Sequence, residues 1–140
     1  MSTKGSIMQR YAAVIGMPYE NREEYERLHA AVWPAVLAKI AEVNIRNYSI
    51  YRYGELLFSY FEYVGDDYEA DMAKMAADPK TQEWWDVCGP LQRPVNDRAD
   101  GEWWASIPEV FHVDQLFISD AIICNLADTF NTGLHGIADR

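Results

Sequence analysis

A tyrosine and a histidine one helical turn apart are the residues of this sequence best suited to chemistry on a small ligand. Tyr25 and His29 are four positions apart in a segment whose apolar residues follow helical spacing, so their side chains share one helix face. Histidine titrates near neutrality and can therefore remove or supply a proton under physiological conditions. Because a histidine on an apolar helix face is more often a core residue, the pair needs support from elsewhere in the chain.

Further aromatic residues with polar tips accompany this pair. They are the hairpin tyrosines Tyr48 and Tyr51 and the tandem tryptophans Trp84 and Trp85, and adjacent helical residues point about 100° apart, so only one tryptophan need face a ligand. These side chains suit an uncharged, hydroxyl-rich ligand such as a monosaccharide. Opening a cyclic sugar takes a proton from the anomeric hydroxyl and gives one to the ring oxygen, which a group titrating near pH 7 can assist.

The composition indicates one globular domain and excludes several classes of partner. The chain has 140 residues, 49% of them hydrophobic and 14% aromatic, which is enough for a single core. Its net charge of −10 would be repelled by phosphate backbones and anionic membranes. Cys88 and Cys124 match no metal or disulfide pattern, and no apolar run has membrane-spanning length. We therefore expect a cytoplasmic protein with no nucleic-acid or membrane partner, no metal and no cofactor.

The elements that must position His29 begin with a strand and a helix. An apolar run at residues 10–17 predicts a buried strand. Asn21 and Glu24 have the spacing of a capping box, and apolar residues at helical intervals continue from there to about residue 43. Pro34 should kink or restart this helix, because proline removes a backbone donor and clashes with the preceding turn.

The rest of the chain predicts a hairpin, a second helical region and a last strand. Strands at residues 45–53 and 56–64 are separated by Gly54-Glu55, and glycine at the first central position is typical of a type II′ hairpin turn. Asp78-Pro79 is a helix start signal within the second helical region. The last strand is predicted at Glu109–Val113.

This β-α-β-β-α-β order is the ferredoxin-like arrangement of the α+β class. Its sheet carries helices on one face only, so the other face must be covered, commonly by the same face of a second subunit. We expect a homodimer of the dimeric α/β-barrel type. The candidate strands for this contact carry Tyr48, Ile50, Phe58 and Tyr60.

With these features in place, the chain resembles the L-rhamnose mutarotase family. The matching stretches run in order and at similar intervals, and they are Glu23–Tyr25 through His29, Val32–Pro34, Arg46–Tyr51, Leu56–Phe58, Trp84-Trp85 and Glu109–His112. The resemblance implies a small dimeric ferredoxin-like protein that interconverts sugar anomers without a cofactor. We predict a mutarotase-like domain at residues 8–114 and a C-terminal extension of unknown role at 115–140.

The resemblance also implies the site residues. The family's catalytic histidine falls on His29, which would act as general acid/base, and its substrate-binding residues fall on Tyr25, Tyr48, Trp84 and Trp85. The predicted activity is that of an isomerase, an aldose 1-epimerase that interconverts the α and β anomers of a 6-deoxy-L-hexopyranose.

Departures from the family pattern leave the sugar open. The chain has a shorter hairpin turn, an inserted segment at Gly101–Trp104 and the extra tail. L-Rhamnose is the leading substrate, and L-fucose, also a 6-deoxyhexose, is the alternative. A non-catalytic small-molecule-binding module on the same dimeric fold is the alternative from another class, because a fold does not determine function. Trp103 and Trp104 are interpreted as loop cover or as a subunit contact.

Overall fold

The computed structural model describes residues 7–114, in which four α-helices accompany one four-stranded antiparallel sheet. The strands, in the sheet order β2-β3-β1-β4, are β1 (Gln9–Gly16), β2 (Ile45–Tyr53), β3 (Leu56–Tyr63) and β4 (Ala105–Ile107). The helices are α1 (Arg22–His29), α2 (Pro34–Glu42), α3 (Tyr68–Ala77) and α4 (Pro79–Cys88). This order confirms the predicted ferredoxin-like arrangement.

Two prolines set helix boundaries where the sequence predicts them. Trp33 has extended backbone angles (φ −60°, ψ 134°), as expected of a residue before proline, so the chain leaves α1 and restarts at Pro34. Asp78 caps α4, since its carboxylate accepts a hydrogen bond from the Thr81 N–H at 2.9 Å while Pro79 takes the first helical position. The restart leaves His29 as the last residue of α1 instead of inside a continuous helix.

The predicted capping box at the start of α1 is wrong. Asn21 precedes the helix, but its side-chain amide donates to the Leu91 carbonyl at 3.0 Å and accepts nothing from the first turn. Glu24 pairs instead with Arg27, whose Nη2 and Nε lie 2.6 and 2.9 Å from its carboxylate oxygens. Asn21 therefore ties the start of α1 to the chain after α4, a tertiary contact that replaces the local cap.

The predicted last strand at Glu109–Val113 is also wrong. The strand is Ala105–Ile107, which pairs antiparallel with residues 12–14 of β1. Pro108 follows directly and has no N–H with which to extend the ladder. Both stretches contain apolar residues, and the pairing partner, which is distant in sequence, decided between them.

Alternation along β1 and β3 separates a helix-facing side of the sheet from an open one. Ile15 pairs with Leu57, and both are buried beneath the helices. The core there consists of Ile15, Met17, Tyr25, Val36, Leu57, Trp84 and Cys88. Because neighbouring residues of a strand point to opposite faces, Phe58 and Tyr60 lie on the open face.

A β-bulge interrupts the alternation in β2. Arg46 pairs with Glu62 and Ser49 with Tyr60, so three steps along β2 correspond to two along β3 and one residue is extra. Asn47 has a left-handed φ of 49° at this point. The side chains that follow the bulge therefore have the opposite parity to Ile45, which precedes it.

The bulge turns Tyr48 and Ile50 toward the helices. Tyr48 meets the Phe61 ring edge-on, with centroids 5.7 Å apart, and Ile50 packs against the core. Of the four hairpin residues named for a subunit contact, Phe58 and Tyr60 are therefore the two on the open face.

The chain divides into two units between Glu109 and Val110. In the second unit, residues 110–114 form no helix or strand, and the His112 Nε2 lies 3.2 Å from the Asp114 carboxylate. The predicted extension at 115–140 lies outside the described residues, and the domain boundary at 114 stays a prediction. Among the helices described within residues 7–114, none is long and apolar enough to cross a membrane.

Candidate functional site

A cavity of about 840 Å³ lies beside α4 and the loop that follows it. Its walls combine aromatic rings with a few polar groups. They are formed by Tyr48, Met75, Trp85, Asp86, Gly89, Pro90, Gln92, Arg93, Pro94, Trp103 and Trp104. A largely apolar cavity with a few convergent polar groups is the usual form of a small-molecule site.

Two of the five predicted site residues, Tyr48 and Trp85, line this cavity. Trp85 is 45% exposed, whereas Trp84 is buried in the core, as the angular spacing of adjacent helical residues requires. Although part of the Tyr48 side chain is exposed, protein atoms surround its hydroxyl, and the resulting desolvation raises the pKa of Tyr48 to about 12. The hydroxyl therefore stays protonated at neutral pH and can donate a hydrogen bond.

The other three predicted residues form an aromatic cluster outside the lining. Tyr25 and His29 stack with ring centroids 4.1 Å apart and an interplanar angle of 20°. Trp84 meets the His29 ring edge-on at 5.3 Å. Tyr25 and Trp84 are buried, while His29 keeps part of its surface exposed. The spacing of one helical turn thus brings the tyrosine and the histidine into contact.

The backbone of α1 determines which nitrogen of His29 carries the proton. Nδ1 of His29 lies 2.8 Å from the Tyr25 carbonyl oxygen. Since a carbonyl can only accept, Nδ1 must donate, and the neutral ring keeps its lone pair on Nε2. Burial lowers the pKa of His29, an effect that this hydrogen bond partly opposes. At pH 7 the ring is therefore neutral, with Nε2 able to act as a base.

Gln92 connects the aromatic cluster to the cavity. Its side-chain Nε2 donates to the Tyr25 hydroxyl oxygen at 3.2 Å, and its Oε1 accepts from the Trp103 indole N–H at 2.8 Å. Desolvation raises the pKa of Tyr25, so its hydroxyl is protonated. The sequence did not point to Gln92, because a loop glutamine has no local signature and Tyr25 is 67 residues away.

The inserted segment contributes two walls of the cavity, Trp103 and Trp104. Glu102 fixes this segment by accepting from the Ala99 N–H at 2.9 Å and from the Ser106 N–H and hydroxyl at 3.0 and 2.6 Å. These tryptophans, which the sequence suggested as loop cover or a subunit contact, therefore belong to the lining of the cavity.

A short bridge holds the loop that carries Gln92 against the sheet. Gly16 and Arg93 exchange two backbone hydrogen bonds, both of 2.7 Å. A Cβ added at Gly16 would lie 2.5 Å from the Arg93 carbonyl oxygen, so this approach requires glycine. Arg93 also donates from Nη1 to the Pro90 and Gln92 carbonyls, both at 2.7 Å.

The titratable groups nearest the cluster favour proton transfer by His29 over nucleophilic attack. Burial raises the pKa of the Cys88 thiol to about 11, which keeps it protonated and a poor nucleophile at neutral pH. Among residues 7–114, no three His, Cys, Asp or Glu side chains are grouped so that they could hold a metal ion.

Comparison with known sequences identifies relatives along most of the chain. A family model described as L-rhamnose mutarotase matches residues 10–113. The L-rhamnose mutarotase of Oceanobacillus iheyensis is 32% identical over 116 residues, which cover 81% of this chain and all of that relative. The L-fucose mutarotase of Xanthomonas campestris is 32% identical over 96 residues, which cover 66% of this chain and 76% of that relative.

Two solved structures share the fold. An L-rhamnose mutarotase from Formosa agariphila superposes with a TM-score of 0.59 at 19% identity, covering 76% of this chain and 99% of the other. Tetracenomycin F2 cyclase from Streptomyces glaucescens gives a TM-score of 0.57 at 21% identity, with 77% and 98% covered. At these identities both likenesses show the fold alone.

Proposed function

The chain belongs to the L-rhamnose mutarotase family, and from that premise we propose that it interconverts the α and β anomers of L-rhamnose. Family membership makes it a sugar mutarotase, an isomerase of the aldose 1-epimerase type. The observation that carries the proposed mechanism is the state of His29, whose ring is neutral at pH 7 and has its lone pair on Nε2.

In the proposed reaction, His29 acts as the general base in ring opening. Nε2 takes the proton of the anomeric hydroxyl, the bond between C1 and the ring oxygen breaks as the C1 carbonyl forms, and the ring oxygen takes a proton from a solvent water molecule, which becomes hydroxide. Rotation about the C1–C2 bond and closure on the other face of the carbonyl give the second anomer and return both protons. Only protons and bonding pairs within the sugar move, so the reaction is redox-neutral and we propose no cofactor.

The remaining predicted residues are proposed to hold the sugar. The hydroxyls of Tyr25 and Tyr48 are protonated and would donate hydrogen bonds to sugar oxygens. His29 lies outside the cavity lining, but part of its ring is exposed. The anomeric end of the sugar would face this exposed part of His29, and the C6 methyl would lie toward Trp85 in the cavity. Trp84 would support the His29 ring from behind, and the hydrogen bond from Gln92 to Tyr25 would join the two regions.

L-Fucose is the second candidate substrate, because one relative is named an L-fucose mutarotase. The test is magnetisation exchange between anomers, measured by NMR with L-rhamnose, L-fucose, L-lyxose and D-glucose. We expect the fastest exchange with L-rhamnose. Faster exchange with L-fucose would transfer the assignment to that sugar. Shifted signals without faster exchange for any sugar would indicate binding without catalysis and overturn the proposal.

The proposed position of the C6 methyl has its own test. An aromatic wall at Trp85 offers no partner to a hydroxyl at C6, although such a wall rejects the hydroxyl only modestly, by about 10²-fold at most. L-Rhamnose should therefore exchange faster than L-mannose, and Trp85→Ala should narrow the difference. Equal rates for the two sugars in the wild type would remove Trp85 from the proposed site.

We also propose that the protein is a cytoplasmic homodimer. Support for the dimer comes from the open face of the sheet, where Tyr51 and Tyr53 are 65% and 79% exposed beside Phe58 and Leu56, an arrangement typical of an interaction surface. Support for the location comes from Cys88, a free thiol in the described residues, which suits a reducing compartment. The strongly negative charge supports the absence of a nucleic-acid partner.

A further inference from the structure

We propose that Gln92 is a positioning residue that holds the Tyr25 hydroxyl as a hydrogen-bond donor toward the sugar, and that Trp103 sets the orientation of the Gln92 amide. The inference rests on the proposed function, in which Tyr25 binds the substrate. It adds two residues that have no part in the sequence prediction of the site.

The indole of Trp103 determines which way the Gln92 amide points. An indole N–H donates and cannot accept, so the amide atom 2.8 Å from it must be the oxygen. The amide nitrogen then faces Tyr25 at 3.2 Å. The reversed amide would place two donors against each other at the indole and leave both without an acceptor, which is unfavourable for buried polar groups.

The orientation of Gln92 in turn determines the role of Tyr25. An amide nitrogen can only donate, so the Tyr25 oxygen accepts and its own proton points elsewhere. No hydrogen bond within the described part of the chain uses that proton. Tyr25 is thus prepared to donate to a ligand oxygen, and the hydroxyl and ring oxygens of a sugar are acceptors.

Gln92 and Trp103 are both held in place by their surroundings. Gln92 is only 7% exposed, its backbone N–H donates to the Gly89 carbonyl at 3.0 Å, and the next residue, Arg93, is bridged to Gly16. Trp103 follows Glu102, which anchors the inserted segment. The orientation of the amide is therefore built into the fold and does not depend on the ligand.

The test replaces the amide by a carboxyl group of the same shape, in Gln92→Glu. A carboxylate has no hydrogen to give, so the Tyr25 hydroxyl should turn and donate to it, and its proton is lost to the sugar. When the new carboxyl is protonated, it can donate to Tyr25 as the amide did. We therefore expect kcat/KM for L-rhamnose exchange, relative to wild type, to be about tenfold lower at pH 8 and to recover toward unity as the pH falls to 5.

Two further variants complete the experiment. Gln9→Glu is the matched control, because the Gln9 side chain is exposed and, within residues 7–114, accepts a hydrogen bond from the Tyr11 hydroxyl alone, at 2.8 Å. The rate of this variant relative to wild type should stay near unity at every pH. Trp103→Phe keeps an aromatic wall but removes the N–H, so the amide can turn. Its relative rate should fall severalfold without a pH-dependent recovery, and a folded Trp103→Phe protein with wild-type rates would overturn the part assigned to Trp103.

The outcomes separate this inference from its premise. A wild-type protein that does not accelerate exchange removes the proposed function and the role of Gln92 together. If the wild type is active but the folded Gln92→Glu variant loses activity equally at all pH values, the residue is structural and the positioning role is wrong. If Gln92→Glu does not fold, Trp103→Phe decides the matter, because the positioning role requires that it lower the exchange rate.

Discussion

His29 and Tyr25 each use one hydrogen-bonding atom inside the protein, and we propose that each keeps another for the sugar. Nδ1 of His29 donates to the Tyr25 carbonyl, which leaves the Nε2 lone pair, and the Tyr25 oxygen accepts from Gln92, which leaves the phenolic proton. The two rings are stacked 4.1 Å apart. A group that can accept a proton and a group that can donate a hydrogen bond thus lie side by side, as the proposed reaction requires.

Replacing His29 by alanine should lower the anomer exchange rate by about 10²-fold or more, the usual contribution of a positioned general base. The rate is measured by magnetisation exchange with L-rhamnose. His112→Ala is the matched control, because that histidine is exposed and bonded only to Asp114 among the described residues. A folded His29→Ala protein with near-wild-type rates would exclude His29 from the mechanism.

The acid side of the pH profile should report the same histidine. Burial lowers the pKa of His29 below its ordinary value of 6.5, and protonated Nε2 cannot remove a proton. The kcat/KM for exchange, corrected for the spontaneous reaction, should therefore fall with an apparent pKa below 6.5. Because folding favours the neutral ring, the free energy of unfolding should also decrease as the pH falls through this range. An apparent pKa at or above 6.5 in the kcat/KM profile would contradict the first statement, and a free energy of unfolding that increases as the pH falls below 6.5 would contradict the second.

At the scale of elements, the helix starts were predicted correctly because they depend on neighbouring residues. Pro34 and the Asp78-Pro79 pair restrict the backbone directly, so the starts of α2 and α4 could be located from the local sequence alone. The place of β4 could not, because its partner β1 lies about ninety residues away and both 105–107 and Glu109–Val113 contain apolar residues. Asn21 failed as a cap for the same reason, since the Leu91 carbonyl that it binds is 70 residues away.

The same difference between local and long-range contacts applies to the candidate site. Tyr25 and His29 are joined by helical spacing, and the stacking of their rings could be expected from four residues of sequence. The hydrogen bonds that connect Tyr25 to the cavity come from Gln92 and Trp103. They form only because the loop after α4 returns to β1. No residue type or interval marks such a contact in advance.

The bridge that returns this loop to the sheet should be sensitive to one methyl group. Gly16→Ala would place a Cβ 2.5 Å from the Arg93 carbonyl oxygen, and the strain or displacement should lower the free energy of unfolding by about 1–3 kcal/mol. Exchange should slow as well, because the bridge positions Gln92. Urea denaturation followed by tryptophan fluorescence measures the first effect.

Gly89→Ala supplies the comparison for that variant. Gly89 has helical backbone angles (φ −57°, ψ −44°), and nothing lies within 4 Å of an added Cβ. The free energy of unfolding should be unchanged or higher by about 0.4–1 kcal/mol. Equal losses in the two variants would show that the close approach at Gly16 is not the cause.

For the whole molecule, the open face of the sheet predicts its state of association. Helices cover one face, and the other exposes Tyr51 and Tyr53 next to Phe58. We expect a dimer in sedimentation at micromolar concentration and a monomer for Phe58→Arg, because a buried unpaired charge opposes packing of two such faces. Leu37→Arg, at a 53% exposed position of α2, should remain dimeric. A wild type that sediments as a monomer would contradict the proposed assembly.

Gain or loss of one residue in a strand normally inverts every side chain beyond it, because neighbours alternate between the two faces. The bulge in β2 exempts Asn47 from this rule. Without Asn47, Tyr48 would pair with Phe61 between the residue pairs Arg46–Glu62 and Ser49–Tyr60, and the strand would become regular. Tyr48 would still face the cavity and Tyr51 the open face. In evolutionary terms, the hairpin can shorten at this position while the surface that lines the cavity and the open face of the sheet keep their identities.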